Sequence, residues 1–219
     1  AASLALCTAV SAQADEITLK FATSAPVKTP WQMQFDRMAE DIKTASNGDV
    51  NVDIFYSSQL GAENDALAQV ARGRIDMGVF TLGAAALQAP ELAILALPSI
   101  FDTPAQRECV LDDHMIDMVR EILLNKGIYF GGWLEVGAGY MTSTVALNTP
   151  ASLKGLKVGT TTNKVNDAFW EIYGANPVPT NVPEVTSSAS TGLIDVYPTV
   201  YPFYIPSGLN KIFPIITEY

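Results

Sequence analysis

A chain of 219 residues with a formal net charge of −10 is long enough for one large domain or two smaller lobes. Its 13 Lys and Arg residues face 23 Asp and Glu residues. This balance argues against a nucleic-acid partner and against an anionic membrane surface, because both require clusters of basic side chains. We therefore predict no nucleic-acid partner.

The first 14 residues form an uncharged, mostly apolar run that closes on the small-x-small pattern Ala12-Gln13-Ala14. This pattern is typical of the end of a secretory signal, so we expect residues 1–14 to be a signal-peptide remnant and the protein to be exported to the periplasm. No later stretch is apolar and long enough to cross a bilayer, which predicts no direct membrane insertion. Cys109 would then be the remaining cysteine, and its helical context predicts a buried apolar thiol.

The first half of the chain alternates strand and helix patterns. Thr29 before Pro30 is a helix start, because a capping hydroxyl precedes a proline in the first turn. Asn47 and Gly48 end that helix. In chain order the sequence predicts strand 17–24, a helix from residue 30, strand 50–54, turn 56–61, helix 62–72, strand 75–80, an apolar segment 84–101 broken by two prolines, and a helix from 104 that Gly127 ends.

The second half continues this alternation after a glycine-rich crossover. Two extended segments, 129–136 and 139–147, are expected to carry the chain from one lobe to the other. Beyond them the sequence predicts strand 156–160, helix 165–173, strand 176–180, helix 183–191 and an extended segment 193–197. Regular strand–helix alternation predicts an α/β fold. Residues 73–76 (GRID) and 192–195 (GLID) share the pattern Gly-x-Ile-Asp. Two similarly wound lobes would produce this repeat, and so would a common helix-to-strand transition.

Side chains that follow strand ends are candidates for a ligand site, because ligands of α/β lobes gather there. Thr23 and Ser24 follow the first strand, and Phe80 and Thr81 follow the third. Trp31, near the start of its helix, either covers a ligand or packs in the core. Trp133 and Glu135 lie on the crossover strand, where Glu135 is either a site residue or an exposed charge.

Several ordered motifs resemble the solute-binding proteins of tripartite ATP-independent periplasmic (TRAP) transporters, the DctP-like family. They cover nearly the whole chain after residue 14, in the order and spacing of the family. These motifs are residues 56–61 (YSSQLG), 71–80 (ARGRIDMGVF), 132–137 (GWLEVG), 148–158 (NTPASLKGLKV), 174–179 (GANPVP), 183–185 (PEV) and 192–195 (GLID).

The resemblance implies an α/β, two-lobed, periplasmic-binding-protein-like (type II-like) fold with mixed sheets. It implies a first lobe of residues 15–136 and a second lobe of residues 137–219, which would lack its C-terminal part. It further implies a monomer that captures a small-molecule solute, hands it to TRAP membrane subunits, and uses no cofactor, no metal and no catalytic residue. Positions that line or adjoin the family's cleft are Tyr140, Thr160, Thr161, Tyr197 and Thr199.

Two positions depart from the family pattern. The family carries arginines that grip a substrate carboxylate where this chain has Gly139 and Gly159. Because charge-assisted pairs are the strong hydrogen bonds, their loss predicts an uncharged or weakly acidic solute. The competing hypothesis is a carboxylate held by backbone amides of residues 160–163 and by Lys164 or Lys28.

Other functions are less well supported by the residues. A secreted α/β enzyme is one alternative and an ABC-type binding protein is another. The chain contains no Gly-x-Ser-x-Gly elbow, no phosphate-cradling Gly-x-x-x-x-Gly-Lys and no His-Glu-x-x-His, and it has a single histidine. We therefore predict a binding protein rather than an enzyme.

Overall fold

The computed structural model describes residues 16–97, 100–160 and 164–218. Within these ranges, capping residues fix where the helices begin. Thr29 accepts a hydrogen bond from the Gln32 amide at 3.4 Å ahead of Pro30, which confirms the first predicted helix start. Asn47, with φ of 54°, ends that helix. The leader, Pro98 and Thr161 lie outside the described residues.

The first sheet is parallel, with strand order β2-β1-β3. The strand predicted at 75–80 is shorter than expected. The helices that follow the strands cover the sheet and complete its core. The elements are β1 (Ile17–Thr23), α1 (Pro30–Ala45), β2 (Val50–Phe55), α2 (Glu63–Val70), β3 (Met77–Val79), α3 (Leu82–Gln88), a 3₁₀ helix (Pro90–Ala96), α4 (Pro104–Glu108), a π-helical turn (Cys109–Met115) and α5 (Ile116–Leu124).

The second sheet is mixed, with strand order β6-β5-β7-β4-β8. β5 runs parallel to β6 and β7, whereas β4 is antiparallel to β7 and β8. The sequence patterns did not predict α8 and β8. The elements are β4 (Tyr140–Ser143), β5 (Lys157–Thr160), α6 (Lys164–Ile172), β6 (Asn176–Pro179), α7 (Val185–Ser190), β7 (Val196–Thr199), α8 (Tyr201–Tyr204) and β8 (Ile215–Glu218).

The GRID and GLID motifs make equivalent contacts in the two sheets. Asp76 accepts from the Lys20 amide at 2.8 Å, and Asp195 accepts from the Lys157 amide at 2.9 Å. Each Asp amide also donates to the carbonyl of the same lysine. The motif therefore ties a helix end to the neighbouring strand in both halves.

The crossover differs from its prediction. Residues 129–139 contain no strand, and of the second extended segment only Tyr140–Ser143 joins a sheet. No neighbouring strand among the described residues offers residues 129–139 a hydrogen-bonding ladder. An extended chain without such a partner gains nothing from strand geometry.

The prediction that Cys109 is buried is wrong, because its side chain is exposed. Cys109 opens the π-helical turn between α4 and α5. A π turn inserts an extra residue into the helical repeat, which takes Cys109 out of line with buried Val119 and Leu123. No helix in the described ranges combines the length and apolarity needed to span a bilayer.

Candidate functional site

Residues at the carboxyl edge of the first sheet enclose a narrow crevice. Thr23 ends β1, Ser24 follows it, Phe80 follows β3, and Glu63 begins α2. The crevice holds about 210 Å³ of empty space, part of it open to solvent. Strand ends and the helix starts that follow them meet at one edge of such a sheet. The structure therefore brings the predicted residues Thr23, Ser24 and Phe80 to one crevice.

A strained turn forms one wall of this crevice. Ser57 and Ser58 have φ values of 50° and 59°. Side chains in this left-handed region cost roughly 1–2 kcal/mol per residue. Hydrogen bonds from Ser57 to the Ala25 carbonyl at 3.0 Å and from Ser58 to the Thr23 carbonyl at 3.1 Å offset that strain. These two hydrogen bonds hold the turn against the end of β1.

Two hydrogen bonds join Glu63 and Thr81 beside the crevice. The Thr81 amide donates to Glu63 Oε1 at 2.7 Å, and Thr81 Oγ1 donates to Glu63 Oε2 at 2.8 Å. Thr81 also caps α3 by accepting from the Ala84 amide at 3.3 Å. The predicted site residue Thr81 thus orients a carboxylate that faces the crevice.

Burial raises the pKa of Glu63 above its ordinary value of 4.5, although the two bonds from Thr81 act in the opposite direction. The folded chain therefore holds this proton at pH values where the unfolded chain has released it. Stability from this proton is fully present below about pH 4.5 and is lost as the pH rises through the raised pKa.

We expect the substitution Glu63→Gln to abolish the loss of stability that accompanies release of the Glu63 proton. Urea unfolding between pH 4 and pH 8 should show the variant gaining stability relative to the wild type as the pH rises. Asp65→Asn, an exposed change on the same helix, is the control and should leave the pH profile unchanged. Parallel pH profiles for the wild type and Glu63→Gln would contradict the burial of this charge.

Three predicted residues meet at one edge of the second sheet. Thr160 ends β5, Thr199 ends β7, and Tyr140 begins β4 opposite Thr199. Thr160 Oγ1 donates to Asp167 at 3.1 Å, and the Tyr140 ring lies 4.6 Å from the Tyr201 ring. Within the described residues, none of the three lines the crevice of the first sheet.

Gly159 leaves room for two buried side chains. A Cβ atom at this position would lie 2.9 Å from Ile194 Cδ1 and 3.0 Å from Tyr197 Cδ2. Both neighbours are buried. Such distances are shorter than carbon–carbon contact allows. The Tyr197 ring and the Ile194 side chain therefore occupy the space that a side chain at 159 would need.

Trp31 joins the two halves of the molecule. It packs against the apolar cluster of Phe21, Phe35 and Tyr56 beneath the first sheet. It also packs against the cluster beside the second sheet that contains Val185 and Tyr197. Trp31 is therefore an apolar contact between the sheets, next to the edges where the predicted residues collect.

The remaining predicted residues lie elsewhere. Trp133 Nε1 donates to the Leu111 carbonyl at 3.0 Å, and Glu135 forms an ion pair with Arg107 at 2.6 Å. Gly139 is exposed in the crossover segment. The structure does not bring these three to the crevice.

Glu63 also lines the crevice, although it is not among the site residues that the sequence predicts. The rule that selected Thr23 and Phe80 applies to it as well, because α2 begins at the edge where β2 ends. A helix-starting acidic residue directly after the 56–61 turn was the available signal.

A second concavity lies between α1 and β2, on the outer edge of the first sheet. It is larger and mostly open to solvent, with about 740 Å³ of empty space. Its charged lining consists of Asp36, Glu40, Asp53 and Lys43. One side of α1 and the length of β2 line it, so its geometry is that of a charged surface groove.

Residues 21–218 match the model of one protein family, the bacterial extracellular solute-binding protein family 7, DctP. The chain belongs to this family. The resemblance to TRAP solute-binding proteins that the motifs predicted is thereby confirmed. Members of the family are solute-binding transport proteins.

Known relatives agree with this membership. The chain is 27% identical to a solute-binding protein of Chromohalobacter salexigens over 85% of this chain and 56% of the relative. It is 30% identical to the 2,3-diketo-L-gulonate-binding periplasmic protein YiaO of Escherichia coli over 70% of this chain and 47% of that protein.

A TRAP periplasmic solute-binding protein of Roseobacter denitrificans, solved with bound β-D-glucuronate, superimposes with a TM-score of 0.84 at 26% identity. The match covers 90% of this chain and 65% of that one. The predicted two-lobed α/β fold with mixed sheets is confirmed. The chain spans about half the length of the curated relatives it matches.

Proposed function

We propose that this chain is the solute-binding part of a TRAP transporter, which captures a small molecule between two lobes and delivers it to membrane subunits. One observation carries the proposal: Trp31 packs against the apolar cluster beneath the first sheet and against the Tyr197 cluster beside the second, so the two sheets face each other next to the strand ends. Family membership over residues 21–218 supports the same function. The relatives named above bind small solutes, which adds further support.

In this proposal residues 15–136 form the first lobe and residues 137–219 the second. The crevice offers only about 10 Å³ to the centre of a water-sized molecule, far less than the roughly 300–1,000 Å³ of typical small-molecule sites. The lobes must therefore separate at the crossover for a solute to enter and close again around it. Trp31 would then be exposed in the open form and covered in the closed form.

The solute that best fits the described side chains is hydroxyl-rich and uncharged or weakly acidic. Gly159 supports this choice, because Tyr197 and Ile194 leave no space for a cationic side chain there. The Glu63 carboxylate supports it too, since it attracts hydroxyl donors and repels anions. A sugar acid is the second candidate, and the glucuronate bound by the Roseobacter relative favours it. Lys28 and Lys164 are its candidate cationic partners.

The cellular setting follows from the same proposal. Export through a signal sequence would place the protein in the periplasm, as the name of the Escherichia coli relative states for that protein. There it would act as a monomer and dock onto TRAP membrane subunits after closure.

A thermal-shift panel of neutral sugars, polyols, sugar acids, dicarboxylates and amino acids tests this function. A solute at one hundred times its Kd stabilises the folded state by about 2.7 kcal/mol. For a chain of this size that corresponds to a rise in Tm of roughly 5–10 °C. We expect such a rise from a sugar or polyol that is recovered unchanged. A rise with succinate alone would contradict the solute class, and no rise with any member would contradict the function.

A further inference from the structure

Side-chain contacts bind the first part of the crossover to the helices of the first lobe. Arg120 Nε donates to the Phe130 carbonyl at 3.3 Å, and Trp133 Nε1 donates to the Leu111 carbonyl at 3.0 Å. The rings of Phe130 and Trp133 meet edge to face at 4.7 Å, and both pack against the apolar cluster that contains Val119. This part of the crossover therefore moves with the first lobe.

Glu135 makes the last of these contacts before the chain leaves the first lobe. Its Oε2 atom pairs with Arg107 Nη2 of α4 at 2.6 Å, and its Oε1 atom accepts from the Gly137 amide at 2.7 Å. Both bonds are charge-assisted. The Arg107 side chain is 29% exposed, so water and salt screen this pair less than they screen a fully exposed one. A single carboxylate thus holds the chain to α4 and shapes the turn that follows.

The segment after this turn lacks such contacts. Among the described residues, no hydrogen bond reaches Ala138 or Gly139, and both are exposed. Gly137 has a φ of 93°, which glycine adopts without the steric cost of a side chain. β4 begins at Tyr140 and is held in the second sheet by β7 and β8. Residues 137–139 are therefore the stretch that is free to turn.

Every described strand of the first sheet precedes the crossover and every described strand of the second follows it, so the chain links the two sheets here. Resting on the lobe separation of the proposed function, we propose that the Arg107–Glu135 pair is a clamp that confines lobe motion to residues 137–139. While the pair is intact, residues 134–136 move with the first lobe. When the pair breaks, they join the hinge, which then reaches back to the Trp133 contact and allows wider opening.

Spin labels on the two lobes measure this freedom without any solute. Met33→Cys on α1 and Ile172→Cys on α6 provide the labelling sites, because these side chains are 75% and 79% exposed. Cys7→Ser and Cys109→Ser remove the native thiols from every variant. Double electron–electron resonance on the full chain gives the width of the label-to-label distance distribution. Circular dichroism checks that each variant folds.

We expect Glu135→Ala and Arg107→Met to widen this distribution about 1.4-fold. The free segment grows from residues 137–139 to residues 134–139, and the span of a free chain increases with the square root of its length. Arg107→Lys keeps the positive charge and should stay close to the wild type. Raising NaCl to about 1 M should widen the wild-type distribution and leave that of Glu135→Ala unchanged, because salt screens the ion pair.

Arg72→Met and Glu121→Ala are the matched controls, because they make the same charge changes at exposed positions of the first lobe outside the clamp. Both should keep the wild-type width. Equal widths for the wild type, Glu135→Ala and Arg107→Met would overturn the clamp. Equal widening in the controls would also overturn it, since the effect would then follow from net charge.

These outcomes are separate from solute capture, because no solute takes part in the measurement. If the clamp variants widen the distribution while no member of the thermal-shift panel binds, solute capture is refuted and the clamp stands. If a panel member binds while the distribution stays unchanged, the clamp is refuted and solute capture stands.

Discussion

Replacing Gly78 by alanine is expected to lower the free energy of unfolding by about 2–3 kcal/mol, because overpacking of a strand interface costs energy on this scale. Gly78 lies on β3 opposite Ala22 of β1. A Cβ atom there would lie 2.5 Å from the Ala22 carbonyl oxygen and 2.7 Å from the Phe80 ring. The backbone of β1 cannot yield cheaply, so the strands must part and the Phe80 ring must leave the crevice.

Urea unfolding measures the stability loss, and titration with the stabilising panel solute measures the accompanying loss of affinity. Gly131→Ala is the control, because a Cβ at that exposed position meets nothing within 4 Å. Equal stability of the Gly78→Ala and Gly131→Ala variants would show that β1 and β3 are not as closely spaced as described.

Trp31→Ala is expected to cost about 2–3 kcal/mol, somewhat less than the 3–5 kcal/mol typical of a fully buried tryptophan. The indole is partly buried and packs against apolar clusters of both sheets. Its removal should therefore loosen the contact between the lobes as well as the first core. We expect a larger radius of gyration in small-angle scattering without solute.

Met33→Ala is the matched control, because Met33 lies on the same helix and is 75% exposed. It should change the stability by no more than about 0.5 kcal/mol. A Trp31→Ala variant with wild-type dimensions and solute affinity would show that Trp31 only fills the first core.

Local chemistry in the sequence was enough to predict most element boundaries. Thr29 and Thr103 each cap a helix ahead of a proline. Such signals act within a few residues, so they do not depend on the rest of the chain. The GRID and GLID motifs likewise mark helix-to-strand transitions, and their aspartates make the same contacts in both sheets.

Features that depend on distant partners were not predictable in this way. The sequence predicts an extended segment at residues 129–136, but strand formation requires a neighbouring ladder. β8 forms because β4 offers such a ladder. The exposure of Cys109 depends on a π turn, which leaves no mark in the hydrophobic pattern.

The candidate site was predicted in part. The strand-end rule selected Thr23, Ser24 and Phe80, which the crevice brings together. Glu63, which begins α2 at the same edge, is not among the predicted residues. The hydrogen bonds between Thr81 and Glu63 join residues 18 positions apart in the sequence, so local sequence patterns do not predict them.

The most direct test of solute capture between the lobes is the crystal structure of the full chain with the panel solute that stabilises it most. The account predicts that the solute lies between the two sheets, in contact with Thr23, Glu63 and Phe80 at the edge of the first sheet. A solute bound in the charged groove between α1 and β2, with the space between the sheets empty, would contradict it.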